Sequence, residues 1–414
     1  MKRIAPLLIA LILAMPAAAR VHTGIDVLED QHFAPLRAVA KRHGGHLRLA
    51  ILANPVSVDA QGRRTIDVLR QDAATAIPGL IVVKLFSGEH GINAATDDTN
   101  ISDKSDPASG LPIVTLYGKT EAERYPTCQQ LQGVDAVAID LQDAGVRYWT
   151  FQTLTKYFLT AGAACKVEIV ILDRPDPING VAVQGPVSTP GLEDYTNPWS
   201  EPMRPGMTLG ELATMFNVEG RIGARLTVIR MTGWNRADWY DATGLEWIHP
   251  SPNLRSLAQA TAYAGTALLE GSNINIKGPG GAPFLRFGAP WIRGQALADY
   301  LNARMIPGAS FRPISYVAAS DKLYPYAGHA VEGIEIVIRD RDMLDAPELG
   351  IETVAALWKL YGGQFAIDRV DRLLRNRLVL DQIKAGVDPR TIAAGWQAEL
   401  NRFKARRAHY LLYP

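Results

Sequence analysis

Glu89 and His90 stand side by side in Leu85-Phe86-Ser87-Gly88-Glu89-His90-Gly91, where an apolar run ends between glycines. A carboxyl group there can give or take the proton of a reacting oxygen, and an imidazole beside it can share or orient that proton. The same pattern recurs: apolar runs also stop at Asn54, at Tyr117, at Asp140-Leu141-Gln142-Asp143 and at Asp173-Arg174. A single such ending reads equally well as a solvated turn, but a series of them makes a polar rim that solubility alone does not explain. Carboxyl groups around a cleft suit cleavage of an acetal, in which one acid protonates the leaving oxygen and a second group attacks or activates water. The proton donor must stay protonated near neutral pH, which requires desolvation or a negative neighbour. Glu89 meets that condition if the other strand ends gather near it. Tyr117, Tyr148, Trp149, Trp199 and Trp247, interleaved with polar residues, would suit sugar rings, although each is equally at home in a core.

Arg147 and Arg174 are the cations nearest this rim. A guanidinium matches a carboxylate in shape and charge, so each is a candidate for an anionic substrate group; Arg147 can instead pair with Asp143, four residues earlier. Asp143 itself either faces the cleft or caps the helix near Trp149. Carboxylates with His90 can hold zinc or manganese, but no local spacing supports a metal, and no residue is assigned to one. Motifs for a nucleophile elbow, a phosphate loop, a dinucleotide fingerprint or a zinc protease are absent. Lys277-Gly278-Pro279-Gly280-Gly281 has glycines in a phosphate-loop manner, but its proline removes a backbone donor and no strand–loop–helix surrounds it. No cofactor is called for.

The elements that must position these residues alternate. Strands are expected over 47–53, 79–86, 111–116, 134–139, 167–172 and 226–231, each rich in Val, Ile, Leu and Ala without polar alternation, as suits strands buried on both faces. Helices are expected over 33–43, 64–71, 121–132 and 149–164, with another opening at Met207-Thr208-Leu209-Gly210-Glu211, where Thr208 and Glu211 have capping-box spacing. This alternation predicts an α/β fold: a Rossmann-like parallel sheet with helices on both faces and ligands outside the carboxyl ends of its strands. The polar stretch 93–110 is long for a plain connection and reads as a binding loop or lid. Near Gly233 the alternation weakens, so residues 20–232 are read as the catalytic domain and 233–414 as a smaller α+β domain completing the cleft. The second part is expected to contain a strand over 333–338 and helices near 351–360 and 392–407.

The chain has 414 residues, 47% hydrophobic and 21% charged, which fits a globular protein of two domains. Lys2 and Arg3 precede the apolar run Ile4 to Met15 and then Pro16-Ala17-Ala18-Ala19. That is the order of a secretory signal peptide, expected over 1–19, and the run is short for a membrane span. The mature chain is therefore expected outside the cytoplasm, periplasmic in a Gram-negative source, with no membrane span. Removal of the leader deletes two of 43 cations and none of 42 acids. The near-neutral remainder gives no electrostatic case for nucleic acid. Cys128 and Cys165 fit either a disulfide or two buried thiols.

Along nearly all of its mature length the chain resembles the exo-β-N-acetylmuramidases of the NamZ type, glycoside hydrolase family 171, long carried as a domain of unknown function. The resemblance rests on Gly24-Ile25-Asp26-Val27-Leu28-Glu29, Leu52-Ala53-Asn54-Pro55, the Glu89-His90 stretch, Leu116-Tyr117-Gly118, Asp140-Leu141-Gln142-Asp143-Ala144-Gly145-Val146-Arg147-Tyr148 and Leu172-Asp173-Arg174-Pro175. It continues through Gly206 to Ala213, Pro250-Ser251-Pro252-Asn253, Glu270-Gly271-Ser272-Asn273 and Arg406 to Tyr413. It implies a site in a cleft between a Rossmann-like and a smaller domain, and release of N-acetylmuramic acid from non-reducing ends of peptidoglycan fragments. On this reading Glu89 is the first choice for general acid and Asp140 or Asp143 the second carboxylate. His90 and Gln142 orient, and the lactyl carboxylate of the sugar is the anion an arginine would hold. Asn54, Tyr117, Gln142, Arg147, Arg174, Asn253, Glu270 and Asn273 are the substrate-binding candidates. The chain departs from the family pattern at Gly88, where proline is usual, at Asp176 and Pro205, and in the stretch 275–281. The other readings are a non-catalytic muropeptide- or sugar-binding protein and a different hydrolase, an esterase or a metal-dependent amidase.

Overall fold

Strands β1 (Leu47–Ala53), β2 (Leu80–Ser87), β3 (Ile113–Thr115), β4 (Ala136–Asp140) and β5 (Glu168–Leu172) form where the apolar runs lie. The structure is a computed structural model that describes residues 20–94, 104–319 and 324–414. The expected leader over 1–19, and the centre of the polar stretch 93–110, lie outside those residues. After β5 come a short hairpin, β6 (Gln184–Val187) with β7 (Pro202–Arg204), and then β8 (Leu226–Ile229). Six of these strands form one sheet in the order β3-β2-β1-β4-β5-β8, every neighbouring pair parallel. This is the doubly wound order, in which the chain reverses direction across the sheet between β1 and β4.

The lack of polar alternation in these strands has a direct cause. Successive side chains point to opposite faces, and both faces are covered. Leu49 and Ile51 of β1 and Ala136 and Ala138 of β4 pack under Ile25, Leu28, Leu36 and Val39, on the helices Gly24–Asp30 and Ala34–Arg42. Their sequence neighbours Ala50, Leu52, Val137 and Ile139 point the other way, against Leu154 and Phe158 of helix Thr150–Cys165 and Leu212 and Phe216 of helix Leu209–Glu219. The capping box opening the last helix is present: the Thr208 backbone N–H donates to Glu211 and the Glu211 N–H to the Thr208 hydroxyl.

One expected helix is largely missing. Residues 121–132 give a single turn, Glu121–Arg124, because Pro126 disfavours helical continuation before it, and Cys128 is tied to Cys165 at the end of helix Thr150–Cys165. The disulfide, left open by the sequence, pins the segment before β4 to the helix after it, with the two Cα atoms 5.4 Å apart.

The second part holds an antiparallel sheet of β9 (Arg286–Ala289), β10 (Ala309–Val317) and β11 (Ala330–Ile338) in the order β10-β11-β9. Helices Leu257–Thr266 and Ala346–Tyr361 cross closely at Gly265 and Gly350, where a Cβ on Gly265 would lie 1.8 Å from the Ala346 carbonyl oxygen. Its apolar side chains, Phe287, Leu349 and Leu357 among them, belong to the same core as Phe151 and Phe158. The end of the chain then returns to the first part: Tyr413 Oη donates to Asp173 just past β5 at 2.6 Å. Among the described residues no helix is long and apolar enough to cross a membrane.

The disulfide encloses a separation of 37 residues, and cross-linking a loop of that size stabilises by roughly 3–4 kcal/mol through the unfolded chain's lost entropy. Cys128→Ser with Cys165→Ser is expected to lower the unfolding free energy by about that amount in urea titrations, and wild-type protein treated with dithiothreitol should match the variant. An unchanged midpoint would show that the cross-link carries no stability.

Candidate active site

The ends of β2 and β3 open onto one cavity. Beyond β2 the chain turns sharply, with His90 and Gly91 both at positive φ (69° and 75°), a region a non-glycine residue seldom enters. Gly88 packs so tightly on Leu154 that a Cβ would sit 2.6 Å from its Cδ2. This turn presents the half-buried Glu89 to a cavity of about 560 Å³. Tyr117, just past β3, donates its hydroxyl to Glu89 Oε1 at 2.7 Å. Thr150, the first residue of helix Thr150–Cys165, donates to Oε2 at 2.7 Å. Both carboxyl oxygens are thus held by hydroxyls, which fix the group's direction and can donate or accept as its protonation changes. Nothing in the sequence marked Thr150, whose side chain reaches Glu89 only because β2 and the helix lie side by side.

The second part supplies the facing wall. Ser251, Asn253, Glu270, Asn273, Arg369 and Arg372 line the same cavity. Asn253 donates to the Tyr324 hydroxyl at 2.7 Å. Asn273 is clamped by the backbone, donating to Gln364 O at 2.7 Å and accepting from the Ala366 N–H at 2.8 Å. An aromatic band of Trp149, Tyr263 and Phe284 bridges the two walls, with edge-on ring contacts at 5.8 Å and 4.6 Å. Burial, and then the Glu270 charge, push the Tyr263 phenol well up, so it remains a proton-bearing donor.

Of the residues expected from the sequence, the cavity gathers Glu89, His90, Tyr117, Asn253, Glu270 and Asn273; Asn54, Asp140, Gln142, Asp143, Arg147 and Arg174 are not part of its lining. The reason is that the other strand ends are tied to one another. Asp140, at the end of β4, is wholly buried and receives a two-pronged ion pair from Arg174 (Nε at 2.5 Å, Nη2 at 2.9 Å) and a hydroxyl donation from Thr65. Asn54 folds the turn after β1, accepting from the Val56 N–H, and Ser57 in that turn donates to the Asp140 carbonyl. At the crevice between β1 and β4, where doubly wound sheets commonly bind ligands, the strand-end side chains therefore bond to one another, and Arg174 lines a separate cavity of about 400 Å³ with Val56, Val58 and Tyr240. Gln142 donates to the carbonyls of Asp143 and Pro175.

Asp143 neither pairs with Arg147 nor caps the helix, which begins after Trp149. Its Oδ1 accepts from the Gly145 N–H at 2.6 Å and from Gln152 at 3.1 Å. Burial, and then the nearby Asp176, push its carboxyl up to about 8. Arg147 is also buried, donating to the carbonyls of Glu201, Leu373 and Leu374. Its part is to hold the backbone beside Arg372, while Arg369 and Arg372, which no sequence signal singled out, stand in the cavity wall. The 277–281 loop curls into a short turn whose Pro279 carbonyl accepts from Arg286. Among the described residues no group of three His, Cys, Asp or Glu side chains could hold a metal ion.

Known proteins are similar to this chain over most of its length. Two family models match, described as exo-beta-N-acetylmuramidase NamZ N-terminal, over residues 49–258, and C-terminal, over 261–413. The peptidoglycan beta-N-acetylmuramidase NamZ of Bacillus subtilis (strain 168) is 30% identical over 398 residues, 95% of this chain and 92% of the relative. Two crystal structures of DUF1343 family proteins from Bacteroides fragilis NCTC 9343 are also similar. The first has TM-score 0.83 at 28% identity, the second 0.72 at 23%, and each alignment covers 95% of this chain and 99% of the other. The second relation speaks to fold alone.

Two outcomes separate the interior acids from the cavity. Removing one partner of a buried ion pair costs about 3–5 kcal/mol, so Asp140→Ala is expected to lower unfolding stability by that much in denaturant titrations; an unaltered midpoint would return Asp140 to consideration as a reacting group. Asp143 binds its proton more tightly in the folded than in the unfolded chain, with a folded value of about 8 against an ordinary value of about 4. Stability is then lost as pH rises through that interval. Thermal midpoints measured from pH 4 to 8 should fall less steeply for Asp143→Asn than for wild type, and equal slopes would contradict the assignment.

Proposed function

The chain belongs to the exo-beta-N-acetylmuramidase NamZ family, and on that premise we propose that it is a peptidoglycan glycosidase releasing N-acetylmuramic acid from non-reducing chain ends, with Glu89 as proton donor. The observation that carries this is Glu89 itself, aimed into a bounded cavity by Tyr117 and Thr150. In the reaction the Glu89 carboxyl gives its proton to the glycosidic oxygen as the anomeric carbon–oxygen bond breaks and its electron pair passes to that oxygen. Water then supplies the new oxygen at the anomeric carbon and, on losing a proton, leaves the acid recharged. Among the described residues Glu270 is the other acidic side chain in the lining, and it takes the place that the sequence suggested for Asp140 or Asp143, as the second carboxylate near the developing positive charge. His90 lines the cavity beside Glu89 and serves as an orienting group.

Two features support the finer parts of the reading. A cavity of about 560 Å³ is of the size that encloses one small ligand, which suits a terminal sugar better than the middle of a long strand. Export is supported by the leader-like residues 1–19 and by the Cys128–Cys165 disulfide, a bond that persists in oxidising compartments; in a Gram-negative source the mature chain would be periplasmic.

A chromogenic N-acetylmuramic acid glycoside should be hydrolysed by the wild type, and Glu89→Gln should lower kcat by about 10²–10⁴-fold with an unchanged thermal midpoint. Tyr117→Phe should lower it less, since Thr150 still holds the carboxyl group. Saturable binding without turnover in the wild type would make the protein a binder instead. Full activity in Glu89→Gln would remove Glu89 from the chemistry.

A further inference from the structure

We infer that Arg369 and Arg372 form a carboxylate-reading wall, so that the cavity selects a hexosamine carrying a carboxylate on its own ring substituent over the neutral sugar. The inference deepens the glycosidase reading and rests on it. Four arginines lie in the stretch from Ile367 to Arg377, and they divide into two kinds. Arg375 is ion-paired with Asp194, and Arg377 with Asp381 at 3.2 Å and more loosely with Asp368. Arg369 and Arg372 are the two that line the cavity, and among the described residues neither makes an ion pair.

Their spacing adds to this. Residues 367–374 are continuously helical, and positions three apart on a helix lie on one side of it. Two like charges so placed repel each other and weaken the helix. No ion pair among the described residues offsets that repulsion. Both residues are exposed, and it is the backbone next to them that is firmly held. Buried Arg147 donates to the carbonyls of Leu373 at 2.6 Å and Leu374 at 2.9 Å, and Leu373 itself reaches the cavity.

The rest of the lining explains why cations are needed. Among the described residues its acids are Glu89, which carries a proton in the proposed reaction, and Glu270, whose carboxylate would repel an anionic ligand entering alone. Two guanidiniums on the wall reverse that for a ligand whose carboxylate points at them, and the planar fork can bind both oxygens at once. A neutral sugar gains nothing from them.

The test compares three chromogenic glycosides: N-acetylmuramic acid, the same sugar with its lactyl carboxylate capped as the methylamide, and N-acetylglucosamine. Hydrogen bonds to a charged group correspond to about a 10- to 100-fold effect. Wild type is expected to prefer the acid over the amide by that factor in kcat/KM. The Arg369→Ala/Arg372→Ala variant should lose most of that preference through KM, and the Arg369→Ala/Arg372→Lys variant should regain part of it. An equal loss on acid and amide, or a wild type that does not distinguish them, overturns the inference. Calorimetric binding of free N-acetylmuramic acid against N-acetylglucosamine, in wild type and double variant, reads the same preference without turnover. If no glycoside is cleaved, the glycosidase reading falls, while the binding ratio still decides for or against the arginines.

Discussion

A buried guanidinium joins the two walls of the site. Arg147 sits in the interior with both terminal nitrogens donating to carbonyl oxygens, of Glu201 in the first part and Leu373 and Leu374 in the second. Burial lowers its pKa, but a guanidinium starts so far above neutral that it stays charged, and it cannot leave its acceptors without a large desolvation cost. Tyr148 beside it makes the same kind of tie, donating to the carbonyls of Tyr263 and Ala264 at 3.2 Å and 2.6 Å. The cavity exists because these bonds fix the helices of the second part over the open ends of β2 and β3.

The parallel sheet makes this arrangement economical. Its carboxyl edge brings polar groups to one side of the molecule, and the structure then uses that edge in two ways. Over β1, β4 and β5 the polar ends bond to one another: Ser57 donates to the Asp140 carbonyl, Arg174 pairs with the Asp140 side chain, and Asp173 accepts from Thr208, Gly210 and Tyr413. Over β2 and β3 the ends face the cavity, and the second part covers them without filling the space. Among the described acids at this edge Glu89 lines the cavity, while Asp140, Asp143 and Asp173 are buried away from it.

Much was legible in the sequence because it was local. Strands β1, β2, β4, β5 and β8 follow from unbroken apolar runs, since a strand covered on both faces has no polar side to show. The Thr208–Glu211 cap follows from a spacing of three, and the Glu89 turn from flanking glycine and an abrupt change of polarity. The family resemblance, carried by short stretches in a fixed order, came from the same kind of information. The expected helix over 121–132 failed where a proline and a covalent bond to a distant cysteine outweighed local preference.

What the sequence by itself determined was the alternation of strands and helices and the sheet edge at which the polar strand ends gather, with Glu89 as the first candidate among them. Only the tertiary structure decided which of those groups face the cavity. Asp140 meets Arg174 across 34 residues and Arg147 meets Leu373 across 226, so the partner that buries each charge is invisible from its neighbours in the chain. Arg369 and Arg372 show the converse, ordinary surface cations in the sequence that become part of a binding wall when the second part folds over the first. A side chain's role is set by what is left unsatisfied after folding, and that balance is a sum over long-range contacts.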